Sequence, residues 1–173
     1  MKVIVVGAGR MGVRHIQGIL TVESIEKITV VDIFDGALKN AKANLEDKPN
    51  FEKCQFVLTE QLDKDQRFDV GVVASTADNR EEIFNLLVSL GCKDIMVEKP
   101  LGQSYQTVKD FSDKVAEADV NCYVNLNMRM YEDFAQLRED FAHTPQLKGL
   151  KTISVNTGSI GIGANGIHYL DLM

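Results

Sequence analysis

Hydrophobic positions come in short bursts that alternate with longer amphipathic stretches from the N-terminus onward. Val3, Ile4, Val5 and Val6 form an apolar, mostly β-branched run that breaks at Gly7, the pattern of a buried strand. From Arg10 to about Leu20, Met11, Ile16, Ile19 and Leu20 fall close to helical spacing. The alternation repeats: 27–31 (KITVV) reads as a second strand, 35–45 (DGALKNAKANL) as a second helix and 54–58 (CQFVL) as a third strand. Residues 69–74 (DVGVVA) are apolar after the first, as expected of a parallel strand covered on both faces by helices. A helix running to about Leu90, capped at its start by Asp78 or Asn79 and stopped by Gly91, precedes a strand at 94–97 (DIMV). Strands alternating with helices predict an α/β fold built on a doubly wound parallel sheet. Further on, 150–156 (LKTISVN) alternates with period two and reads as the first strand of another sheet, one that needs partner strands.

The junction of the first strand and first helix carries the first chemistry. Gly7, Gly9 and Gly12, with Arg10 and Met11 between them, fit the G-x-G-x-x-G spacing of a dinucleotide-binding turn. Such a turn needs glycine for the tight bend, for backbone approach to a pyrophosphate, and for packing of helix on strand. The same architecture places an acid about 20 residues on, at the end of the second strand, to bind a ribose diol. Asp32 stands there. A carboxylate accepts hydrogen bonds from the 2′- and 3′-hydroxyls and repels a 2′-phosphate, so the expected cofactor is NAD rather than NADP. Taken alone, an acid at a strand end is more often simply solvated; the upstream glycines are what give Asp32 a role.

Composition narrows the function classes. The 173 residues suffice for one domain and part of another, and 45% hydrophobic with 25% charged residues is ordinary for a globular protein. A formal net charge of −6 with no Lys/Arg-rich run argues against nucleic-acid binding. No apolar run approaches the roughly 20 residues of a membrane span, and the N-terminal run is too short for a signal peptide, so the expected location is cytoplasmic. Cys54, Cys92 and Cys122 lack metal-type spacing and read as reduced structural thiols; no metal site is expected.

Two strand ends add candidates. Ser75 and Thr76 follow the 69–74 strand at its carboxyl end, where open α/β sheets bind ligands, and so are expected to touch the cofactor. The 94–97 strand ends in Glu98-Lys99-Pro100. A lysine delivered there can relay a substrate hydroxyl proton, although a surface lysine before a proline turn is the commoner case. His15, on the first helix, reads as a partly buried helix histidine rather than a catalytic one.

With GAGRMG at 7–12, VEKPLG at 97–102, NLNMR at 125–129 and GIHYLD at 166–171, the chain resembles the glucose-fructose oxidoreductase/inositol dehydrogenase (Gfo/Idh/MocA) family. The resemblance implies a Rossmann-type NAD-binding domain, here 1–122, followed by an α/β substrate domain with a large sheet, begun at 123–173. It implies hydride transfer between a nicotinamide and a carbinol of a sugar, cyclitol or nucleotide sugar. Lys99 and His168 take the catalytic roles; Lys99, Asn165, His168 and Asp171 face the substrate; Glu98 and Lys99 join Gly7, Gly9, Arg10, Met11, Gly12, Asp32, Ser75 and Thr76 at the cofactor. Many family members carry an acid four residues before the histidine, where this chain has Ala164. Family members also run longer, so the second sheet is expected to be incomplete here: either the chain is a fragment, or another copy completes the sheet in a homo-oligomer. The rival expectation is a dinucleotide-binding module without turnover, acting in assembly or sensing.

Overall fold

The computed structural model describes residues 1–145, 152, 154 and 165–172. The chain divides into two compact units, Met1–Val124 and Asn125–Met173. In the first, the elements run β1 (Lys2–Val6), α1 (Arg10–Ile19), β2 (Lys27–Asp32), α2 (Asp35–Leu45), β3 (Cys54–Leu58), β4 (Val70–Val73), α3 (Arg80–Ser89), β5 (Asp94–Val97), α4 (Tyr105–Glu117) and β6 (Asn121–Val124). All strand pairs are parallel, in the order β3-β2-β1-β4-β5-β6. The order reverses between β1 and β4, and this switch point opens a crevice at the carboxyl edge of the sheet.

Central β1 explains why its run is apolar without alternation. Val5 pairs with Val30 of β2 on one side and Val72 of β4 on the other. Val3 and Val5 pack with Ile16, Leu20, Leu38 and Leu45 of the α1/α2 layer, whereas Ile4 and Val6 pack with Phe84, Leu87 and Phe111 of the α3/α4 layer and with Ile95 of β5. Successive side chains point to opposite faces of a strand, so a strand covered on both faces must be apolar at every position.

The helices end and begin by local chemistry. α3 terminates with Gly91 N–H donating to the carbonyl of Val88 and Cys92 N–H to that of Leu87, the paired bonds of a Schellman stop. At its start, Asn79 occupies the cap position but its side chain makes no cap bond, and Asp78 instead accepts from Gln103 Nε2. The capping expected of Asp78 or Asn79 is therefore not made by a side chain. α4 is capped by Ser104, whose hydroxyl accepts from Thr107 N–H at 3.1 Å, and its Phe111 ring lies 5.1 Å from that of Phe84.

The second unit contains α5 (Glu132–His143) and α6 (Ile167–Leu172). Of the strand expected at 150–156 only residues 152 and 154 are described, and the Ala164 position lies outside the described residues. No helix among the described residues is long and apolar enough to cross a membrane.

Candidate active site

Three glycines shape the turn between β1 and α1, each differently. Gly7 sits at φ +106°, and a Cβ there would lie 2.8–2.9 Å from backbone atoms of Ala74 and Ser75. A Cβ on Gly12 would fall 1.9 Å from the Gly7 carbonyl oxygen, so only glycine lets α1 start this close to the turn. Gly9 is the contrast: a Cβ would meet nothing within 4 Å. The protein leaves open space over Gly9, at the N-terminus of α1, where backbone N–H groups have no intrahelical partner and the helix dipole favours an anion. That cradle fits a dinucleotide pyrophosphate.

Asp32 stands beside the turn, at the end of β2. Its Oδ2 accepts from Ala8 N–H at 2.7 Å and its Oδ1 from Phe34 N–H at 2.9 Å, which fixes the carboxylate against the glycine turn. Each oxygen keeps further acceptor capacity for a ribose hydroxyl. Ile33 and Phe34 beside it are 64% and 66% exposed. Neither is a cation, so nothing adjacent on β2 answers a 2′-phosphate. Motif spacing does not pick out these two residues; their exposure does.

On the other half of the sheet the candidates hang on buried charge. Lys99 and Ser75 are half-buried at the ends of β5 and β4, Thr76 is exposed, and the Lys99–Pro100 bond is cis. Arg80, the first residue of α3, is only 4% exposed. Its Nη2 donates to the carbonyls of Ser75 at 3.1 Å and Lys99 at 3.3 Å, while Nε and Nη1 are buried without a hydrogen-bond partner. Burial pushes the guanidinium below its ordinary range, and the carboxylates of Glu98 and Asp78 act to raise it again. Glu98, itself 4% exposed, has Oε1 2.7 Å from His15 Nε2 of α1; an ionised Glu98 accepts from the imidazole. The Glu98 carboxylate thus reaches inward to His15. Nothing in the sequence pattern marks Arg80, and His15 shows no partner there because the pair spans 83 positions.

The second unit joins two of its motif segments. Arg129 of NLNMR holds Asp171 of GIHYLD in a two-pronged pair, Nε donating to Oδ2 at 2.8 Å and Nη2 to Oδ1. His168 lies on α6 and is 8% exposed; Asn165, just before it, is exposed. The three cysteines stand apart from these groups, with burial pushing the thiols of Cys54 and Cys122 up to about 11 and of Cys92 to about 12, so they stay protonated and unreactive.

The sequence pattern of the family described as "Oxidoreductase family, NAD-binding Rossmann fold" (Gfo/Idh/MocA) matches residues 1–126. The chain belongs to that family. A curated relative, the myo-inositol 2-dehydrogenase of Thermotoga maritima, is 24% identical over 139 residues, covering 80% of this chain and 40% of the relative. Among solved structures, the scyllo-inositol dehydrogenase of Lactobacillus casei with bound NAD(H) and scyllo-inositol superposes with a TM-score of 0.66 at 17% identity, covering 82% of this chain and 41% of that one. An NAD-binding protein from Listeria innocua reaches a TM-score of 0.73 at 20% identity over 99% of this chain and 53% of its own. This Gfo/Idh/MocA chain therefore spans about two-fifths of the length of the curated relative it matches. NAD is the cofactor of the family's Rossmann fold, and the glycine cradle and Asp32 are the groups that would hold it.

Proposed function

We propose that this Gfo/Idh/MocA chain is the cofactor-binding part of an NAD-dependent oxidoreductase acting on a carbinol of a polyol, sugar or nucleotide sugar, with NAD preferred over NADP. One observation carries the reading: the open cradle over Gly9 lies on the same sheet edge as the Lys99 strand end, on the two sides of the switch point. Bound NAD+ supplies the hydride acceptor. Gly7, Gly9, Arg10, Met11 and Gly12 bind the phosphates, Asp32 the adenosine ribose, and Ser75 and Thr76 the nicotinamide half. Lys99 accepts the proton leaving the substrate hydroxyl as the carbonyl forms. In the second unit, His168 is the acid/base or hydroxyl ligand, Asn165 hydrogen-bonds a hydroxyl without titrating, and Asp171 holds its segment through Arg129.

The test pairs binding with turnover. NADH should bind about tenfold or more tightly than NADPH, since charge repulsion by Asp32 opposes a 2′-phosphate and Ile33 and Phe34 after it supply no cation to offset that repulsion. With myo-inositol as the polyol probe, Lys99→Ala should keep NADH affinity within about threefold and lower NAD+ reduction by roughly 100-fold or more. A preference for NADPH sinks the cofactor reading, and unchanged turnover in Lys99→Ala removes the lysine from proton transfer. NADH binding with no turnover by the unmodified chain favours the module reading.

A further inference from the structure

The first sheet half is ordered by backbone geometry, whereas the second half has no glycine cradle of its own. In a doubly wound sheet each half takes one mononucleotide, so β4–β6 receives the nicotinamide side. What orders that side is the Arg80 side chain, one guanidinium bonded to the carbonyl of Ser75 after β4 and to the carbonyl of Lys99 after β5. A carboxylate, Glu98, shares this buried region, and His15 ties that carboxylate to α1, the helix whose N-terminus faces the phosphate cradle. A charge buried with two donors unpaired is not what fold stability alone favours, and such local departures concentrate where function needs a fixed geometry.

We propose that Arg80 is a positioning residue for the nicotinamide side of the site: its guanidinium clamps the Ser75 and Lys99 strand ends together, and the Glu98–His15 pair braces the clamp against the cofactor helix. The inference rests on the NAD reading above. It makes Arg80 responsible for how the nicotinamide half is received and leaves the ADP half to the glycine turn and Asp32. Arg80 touches neither cofactor nor substrate; it acts through the backbone of the two residues that do.

NADH and ADP-ribose, titrated by calorimetry against the unmodified chain, Arg80→Met and Arg80→Lys, separate the possibilities, with thermal unfolding recorded alongside. ADP-ribose lacks the nicotinamide, so it reports the first half alone. Arg80→Met should weaken NADH about tenfold or more while leaving ADP-ribose within about twofold. Arg80→Lys keeps the cation beside Glu98 but loses the planar fork, and should weaken NADH by about threefold. Equal weakening of both ligands, unchanged NADH binding by Arg80→Met, or unfolding of both variants would overturn the proposal. If the unmodified chain bound neither ligand, the NAD reading itself would fail and take this inference with it; binding of both with no selective loss would sink the inference alone.

Discussion

The two halves of the sheet reach the same edge by opposite means. Around β1–β3 the site is made of what is missing: a Cβ that cannot exist at Gly12 and one that Gly9 lacks although there is room. Around β4–β6 it is made of what is present and buried, namely Arg80 and Glu98, with half-buried His15 of α1 reaching Glu98. Backbone cradles depend on a few adjacent positions, so they are short in sequence and intolerant of any side chain. Buried charge clusters depend on the packing of several elements, so they are distributed and fail by losing a partner.

The largest effect that would test this contrast comes from Gly12→Ala. The new Cβ would sit on the Gly7 carbonyl, so the turn must open, and NADH affinity should fall about 100-fold or more, with a stability loss of roughly 1–3 kcal/mol by thermal unfolding. An unchanged titration would break the claim that the first half is built on close approach. An intermediate effect is expected on the other half: His15→Ala strips a partner from buried Glu98 and should cost about 1–3 kcal/mol of stability, with ADP-ribose affinity held within about twofold. Loss of ADP-ribose binding there would show that the halves are not separable. The smallest and most discriminating is Gly9→Ala. Gly9 has φ −70° and ψ −172°, which alanine adopts freely, and its Cβ would touch nothing, so stability should hold or rise by about 0.4–1 kcal/mol. NADH should nevertheless bind about fivefold more weakly, because the methyl fills the space that the pyrophosphate needs. A fall in melting temperature, or full retention of affinity, would relocate the phosphate site.

This contrast also explains what was legible in the chain. The apolar runs mark β1, β2, β4 and β5 because strands covered on both faces carry an unbroken signal; β3, an edge strand with no fully buried residue, is marked only by its largely apolar CQFVL run. The glycine triplet and Asp32 were readable because one turn and one strand end fix their spacing. α4 and β6 are not signalled that way: α4 buries only Phe111, and β6 alternates exposed with half-buried positions at the sheet edge. The Arg80 clamp and the His15–Glu98 pair span 19 and 83 positions, and no local pattern encodes which buried charges meet. Arg80 in particular looks like any polar residue opening a helix until the carbonyls of Ser75 and Lys99 appear beside it. Lys99 stood out only through the Glu-Lys-Pro motif, since a lysine before a proline turn is common at protein surfaces.

The hydrogen bond from Ala8 N–H to Asp32 has a bearing on redesign. The acid proposed to discriminate against a 2′-phosphate also tethers the turn that cradles the pyrophosphate. Swapping it for a neutral or basic residue would relax the discrimination and release the tether in a single step, so the first product of such a swap would be a poor binder of either dinucleotide. A variant recruited to NADP would need a second donor-acceptor arrangement to restrain Ala8 before, or together with, the loss of the carboxylate. The proposed preference for NAD is in that sense locked by architecture as well as by charge.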